Sequence, residues 1–366
     1  MRRKLKASLS PIDVITVGRL VPDACAIGGN IGGVAGEGRE AQMNFTRRDF
    51  SRVALATIPA ALLAKPNSKF GGVQIGINVP YSFRGMPATA DDILRNVLQL
   101  ELSSVELRSQ PVENFLGGPI AAQPQPNARA GAGRGRGAAP GAEDEAARTR
   151  AVEELRRWRL SLPNEKFAVF RKKYEDAGVS IDIIKLDDFT NRAATISGEE
   201  IDYFFRMAKG LGARAISCEP TVSETKRLGE FAEKHRMRIG YHGHFSRDPE
   251  QFAFPPAWER AYAYSKYNCI NLDIGHYTAA GGDAMSFIRQ YHDRITHIHL
   301  KDRKANEGPN MPWGQGDTPV REVLQYMKKE RSPFQATIEF EYTPAEGSSV
   351  MTEIAKCVQF CKAALA

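Results

Sequence analysis

Cysteine, tryptophan and histidine are scarce in this 366-residue chain, at 5, 3 and 7 residues. Four cysteines follow residue 64 (Cys218, Cys269, Cys357 and Cys361), and none stands in a zinc-type Cys-x-x-Cys pair. Cys357 and Cys361 are four apart on an expected helix, a spacing that packs them in a core rather than bridging them. The apolar run from Val53 to Ala64 falls short of the roughly 20 residues that span a bilayer as a permanent anchor. An excess of one charge is also missing from the main body. Residues 1–64 hold 9 of the 50 basic and 5 of the 43 acidic residues, leaving 41 against 38. The whole-chain charge of +7 is therefore no nucleic-acid signature. Residues 117–147 are mostly Gly, Ala, Pro, Gln and Arg with almost no large apolar side chains, which predicts a disordered insertion in a surface loop.

The N-terminus carries a different message. Thr46-Arg-Arg-Asp-Phe50, the weakly apolar run behind it and the small residues of Ala60-Ala-Leu-Leu-Ala64 read as a twin-arginine export signal over 43–64. Residues 1–42, Gly-rich and without pattern, read as an extension upstream of Met43. The expected location is periplasmic or secreted, with membrane contact only during export. Residues 65–366 remain for one large domain.

Strand-like and helix-like periods alternate through that domain. Strands are expected at 72–79, 104–108, 179–185, 213–220, 238–244, 268–274, 295–301 and 335–342. Helices are expected at 89–100 (capped by Thr89), over the run 151–177, after Ser197, and at 223–236, 256–266, 284–294, 318–331 and 348–366. Eight of each predict an α/β fold, the (β/α)8 TIM barrel, whose chemistry sits at the C-terminal strand ends.

Five of the seven histidines fall at such ends, in Ile239-Gly-Tyr-His-Gly-His244, Asn271-Leu-Asp-Ile-Gly-His276 and Ile295-Thr-His-Ile-His-Leu-Lys-Asp302, followed by Ala336-Thr-Ile-Glu-Phe-Glu-Tyr342. Strand alternation puts His242 with His244, His297 with His299, and Glu339 with Glu341 on shared faces. Asp273 closes an apolar strand, where a lone charge is costly unless a cation meets it. Lys301 continues the His297–His299 face, and Glu219 beside Pro220 is a further inward carboxylate. Imidazoles and carboxylates at strand ends look like a metal site in a barrel mouth; one divalent ion, Mn²⁺, Mg²⁺, Co²⁺ or Zn²⁺, is what the family resemblance described next implies.

The motifs Asp-Ile-Gly-His, His-Ile-His-Leu-Lys-Asp, Gly314-Gln-Gly-Asp317 and Ile-Glu-Phe-Glu resemble those of the sugar phosphate isomerase/epimerase family, the xylose isomerase-like TIM barrels. The resemblance covers roughly 72–366 without the insertion. It implies metal ligands at Asp273 and His299, with Glu341 as final ligand and general base and Glu339 as its rival. It implies a substrate contact from His276. His244 and His297 are further substrate-binding candidates, and His242 and Lys301, which could hold an enediolate oxygen or a substrate hydroxyl, are catalytic candidates. Where the family usually has a glutamate on an earlier strand, this chain has His242, so the first ligand is open between His242 and Glu219.

The implied activity is a metal-dependent isomerase or epimerase that takes a sugar or keto-sugar through a metal-bound enediolate. The export signal favours an unphosphorylated substrate. A lyase or dehydratase on keto-glycosides or inososes shares the same first step. An endonuclease-IV-like phosphodiesterase and a non-catalytic sugar-binding barrel are further alternatives. The expected partner is a small carbohydrate, not nucleic acid, and a homo-oligomer stays open.

Overall fold

A computed structural model describes residues 65–119, 142–190, 193 and 195–366. The expected extension at 1–42, the export signal at 43–64 and residues 120–141 of the expected insertion lie outside the described residues. Among the described residues no helix is long and apolar enough to cross a membrane.

Eight parallel strands form the barrel: β1 Val73–Val79, β2 Ser104–Arg108, β3 Ser180–Leu186, β4 Ala215–Cys218, β5 Arg238–His242, β6 Asn268–Asp273, β7 Ile295–Leu300 and β8 Gln335–Ile338. They pair in sequence order, and β1 closes the ring on β8 through Ile75↔Ala336, Gly76↔Thr337 and Ile77↔Ile338. The strands are almost continuously buried because helices cover their outer faces and side chains fill their interior. A two-residue strand, Lys69–Phe70, pairs antiparallel with the start of β1.

The helices are α1 Ala90–Gln99, α2 Ser109–Phe115, α3 Ala142–Ser161, α4 Glu165–Asp176, α5 Gly198–Gly210, α6 Thr225–His235, α7 Pro255–Tyr264, α8 Ile274–Ala279, α9 Ala284–Tyr291, α10 Val320–Glu330 and α11 Val350–Leu365. Local chemistry sets several starts. Thr89 accepts from the Asp92 N–H and Ser197 from the Glu200 N–H, so both expected caps are in place.

Three differences from the sequence reading have physical causes. The expected run 151–177 is two helices, broken at Pro163, which has no N–H to donate and disfavours helical backbone at Leu162. Helix α3 already begins at Ala142, so the last residues of the expected insertion are helical. Two short helices, α2 and α8, follow β2 and β6 directly, and both start at the barrel mouth.

Candidate metal centre

The second half of the barrel delivers four potential ligands to one point. His242 ends β5, Asp273 ends β6, His299 is the fifth residue of β7, and Glu339 follows β8. Register brings them level: Asp273 lies beside His299, and the Glu339 N–H donates to the Leu300 carbonyl at 3.1 Å. Each of the four offers an atom within 4.8 Å of the other three, and all four are buried.

The set fits a divalent cation. His242 Nδ1 is buried with no hydrogen bond, which is costly unless something satisfies it. The outer oxygens of Asp273 and Glu339 share one ammonium, that of Lys301, and His299 Nδ1 lies 3.2 Å from Glu339 Oε2. The electrostatics agree. Burial and Glu339 push the Asp273 carboxyl up despite Lys301. The His299 imidazole, disfavoured as a cation by burial, is nevertheless pushed up to about 10 by Glu106 and Glu339. A cluster that draws protons in this way is short of positive charge. Two nitrogens and two oxygens suit Mn²⁺, Mg²⁺, Co²⁺ or Zn²⁺.

Lys301 stands above this set. Its Nζ is 2.9 Å from Asp273 Oδ2, 2.8 Å from Glu339 Oε2 and 2.6 Å from Glu341 Oε2. Burial opposes its charge, but those carboxylates outweigh burial and hold the ammonium well above its ordinary value. Glu341 is gripped from the other side by the Tyr81 hydroxyl and by Asn310 Nδ2 at 3.2 Å. His276 lies between two cations, with Nε2 2.9 Å from Lys301 Nζ and Nδ1 2.7 Å from an Arg303 nitrogen. Burial and then Lys301 hold this imidazole well below its ordinary value, so it is neutral.

A second layer orients the first. Glu106 on β2 is fully buried, and its Oε2 is 2.5 Å from His299 Nε2 and 3.3 Å from His297 Nε2. With Nε2 engaged by Glu106, His299 turns Nδ1 toward the cluster, the usual way a carboxylate fixes a ligand tautomer. Asn78 does the same service for Glu339, donating to Oε1 at 2.9 Å and leaving Oε2 for the site.

The expected site residues therefore separate. His242, Asp273, His299 and Glu339 converge, with Lys301, Glu341 and His276 directly around them. His244 lies at the rim, its ring 4.8 Å from that of His242. His297, expected at the substrate, is fully buried in the lower layer between Glu106 and Thr296. Glu219, expected as a ligand, accepts from Lys185 Nζ at 2.7 Å, and Lys185 holds it down at about 2 against the cost of burial. It stands outside the four, as does Glu341.

Glu106, Asn78, Tyr81, Arg303 and Asn310 are not marked by any sequence motif. Glu106 and Asn78 sit in strands that read as ordinary apolar runs. A signal was available for Glu106, a lone acid at the centre of β2. The Gly314-Gln-Gly-Asp317 motif closes the loop after β7. The N–H groups of Gly314 and Gly316 donate to Asp302 Oδ2 at 2.8 and 2.9 Å, and a Cβ on Gly316 would stand 1.9 Å from Asp302 Oδ1. Only glycine permits that approach.

Residues 150–357 match the family model described as "Xylose isomerase-like TIM barrel". An inosose dehydratase of Lacticaseibacillus casei is 30% identical over 91 residues, 24% of this chain and 30% of that protein. The match thus spans under a third of that relative's length. Among solved structures, the probable 3-DHS dehydratase AsbF of Bacillus anthracis covers 78% of this chain and 98% of its own, at 13% identity and TM-score 0.52. The IOLI protein with a binding zinc atom covers 80% and 99%, at 13% identity and TM-score 0.51. Both show the shared fold. With its closed eight-strand barrel and a family match over more than half its length, this chain belongs to the xylose isomerase-like TIM barrel family.

Proposed function

We propose that the chain is a divalent-metal-dependent carbon–oxygen lyase acting on a polyhydroxylated ketone, a sugar or a cyclitol. The observation that carries it is the convergence of His242, Asp273, His299 and Glu339, whose buried ligand atoms all lie within 4.8 Å of one another, beside a locked cation and a separate carboxylate. In this reading the first ligand is His242 rather than Glu219, and the last is Glu339 rather than Glu341.

A divalent ion held there would supply a Lewis acid for the ketone oxygen and a neighbouring hydroxyl. Lys301, fixed by three carboxylates, holds a positive charge beside the same oxygens as negative charge grows on them. Glu341, outside the four and held by Tyr81 and Asn310, takes the proton from the carbon next to the carbonyl. The electron pair released moves toward the carbonyl oxygen. On its return the bond to the oxygen substituent on the next carbon breaks, and that oxygen departs with the bonding pair. His244 at the rim returns a proton to it, so water or an alcohol leaves and an unsaturated ketone remains. Nothing is oxidised or reduced.

The named relatives favour elimination over epimerisation, since inosose dehydratase and 3-DHS dehydratase carry eliminations in their names. We also read 43–64 as an export signal, which makes an unphosphorylated substrate the better fit.

The test is solvent deuterium exchange next to the carbonyl of inososes and keto-glycosides in the presence of Mn²⁺, with product analysis. Exchange that stops on chelation and in Glu341→Gln, accompanied by released water or alcohol, supports the reading. A stereoisomer or an aldose–ketose pair as sole product overturns the elimination. Absence of exchange with any ketone sinks the enzyme assignment.

A further inference from the structure

Beside the mouth lies a small cavity of about 180 Å³ lined by Phe245, Arg247, Phe254, Ala279, Ala280, Asn306 and Glu307. Phe245 and Phe254 are 38% and 39% exposed, and large apolar side chains with that exposure are few among the described residues. Two of them flank one hollow. Phe245 is also a wall of the active site: its ring centroid is 5.6 Å from that of His276, and the Arg303 guanidinium lies 4.4 Å over its face. The far wall is the loop after β7, where Asn306 and Glu307 adopt consecutive left-handed backbone conformations, with φ of +55° and +59°. Such conformations are strained in residues other than glycine and concentrate at binding sites. The Glu307 N–H donates to the Ala279 carbonyl at 2.8 Å, which ties that loop across the hollow to the end of α8.

Resting on the proposed function, we propose that this hollow is a second subsite, and that it takes a ring joined through oxygen to the reacting sugar. The substrate class is then a glycoside rather than a monosaccharide or free cyclitol. A flat ring with an apolar face would pack on the exposed surfaces of Phe245 and Phe254. The volume is large enough for one such ring. Arg247, Asn306 and Glu307 stand at the margin, where ring hydroxyls would meet polar partners. The occupant's shared chemistry is a ring with a flat apolar face, supplied either by an aryl group or by the C–H face of a second sugar.

The experiment measures binding to the full chain with Mn²⁺ by titration calorimetry. Probes are matched methyl and phenyl keto-glycosides derived from glucose, galactose and mannose, with the corresponding keto-disaccharides as the sugar arm. For at least one hexose, the ring-bearing probe should bind about tenfold tighter than its methyl partner, the scale of burying one ring face. Phe254→Ala should shrink that advantage and Ala280→Trp, which fills the hollow, should erase it, both leaving methyl glycoside affinity unchanged. A phenyl preference without a disaccharide preference assigns an aryl group, and the reverse assigns a sugar. Equal affinity of methyl and ring-bearing probes overturns the subsite while leaving the lyase reading intact, as does an advantage that survives Ala280→Trp. Failure of every glycoside to bind, methyl ones included, overturns both.

Discussion

The two halves of the barrel mouth carry similar numbers of charged side chains but arrange them differently. On β2–β4 and their loops each cation meets a carboxylate: Arg108 with Asp187, Lys185 with Glu219, and Arg159 with Glu113 and Asp188. On β5–β8 the single ammonium of Lys301 faces three carboxylates. Three cations thus meet four carboxylates in the first half, and one meets three in the second. Buried ionisable groups mark a candidate functional site by such an imbalance of charge, not by their abundance.

Unpairing the first half should have the largest effect on stability. Arg159→Met leaves Glu113 and Asp188 buried without their partner, and breaking such a pair costs roughly 3–5 kcal/mol. Denaturant unfolding should show this loss while metal content stays at the wild-type level. A metal-free Arg159→Met protein would mean that the two halves are not separable.

Loosening the lower layer comes next. Glu106→Gln keeps the shape but removes the charge that holds His299 Nε2, and comparable changes behind metal-bound histidines weaken metal binding about 10–100-fold. Imidazole ¹⁵N shifts should show His299 losing its single tautomer, and Glu106→Asp should recover part of the affinity. Unchanged tautomer and affinity would leave Glu106 a purely structural residue.

Protons and the ion compete for the same atoms. The His299 imidazole, held up to about 10 by Glu106 and Glu339 against burial, must release its proton for Nδ1 and Nε2 to serve both the site and Glu106. Metal uptake should therefore release protons, and affinity should fall about tenfold per unit as pH drops below that value. Calorimetry in buffers of different ionisation enthalpy measures it. Arg159→Met, altered only in the other half, should release as many protons as the wild type.

The smallest effect is expected from excising residues 120–141. Their Gly, Ala, Pro and Arg composition offers little apolar surface to bury, so Tm should move by only a few degrees. A larger drop would show that this stretch packs.

Much of this is legible in the amino-acid sequence. The barrel follows from eight alternating periods, the shared faces of the histidine pairs follow from strand alternation, and Asp273 and His299 stand out through the family resemblance. The choice between Glu339 and Glu341 is not legible there, because residues two apart share a face. Their distant partners differ: Asn78 donates to Glu339 Oε1, while the Tyr81 hydroxyl and Asn310 Nδ2 donate to Glu341, and the proposed assignment rests on that difference. Glu219 looks like a ligand because its neighbour across the sheet, Lys185, reads as the end of an apolar strand. Glu106 escapes notice because its partners lie 191 and 193 residues away, beyond any local pattern.

The most direct test sets one carboxylate from each half side by side. Mn²⁺ titration of wild type, Glu339→Gln and Glu219→Gln, followed by electron paramagnetic resonance, reads occupancy without requiring a substrate. Glu339→Gln should lose the tight site while Glu219→Gln retains one ion per chain. Retention in Glu339→Gln together with loss in Glu219→Gln would contradict the account, placing the ion in the half that is already paired.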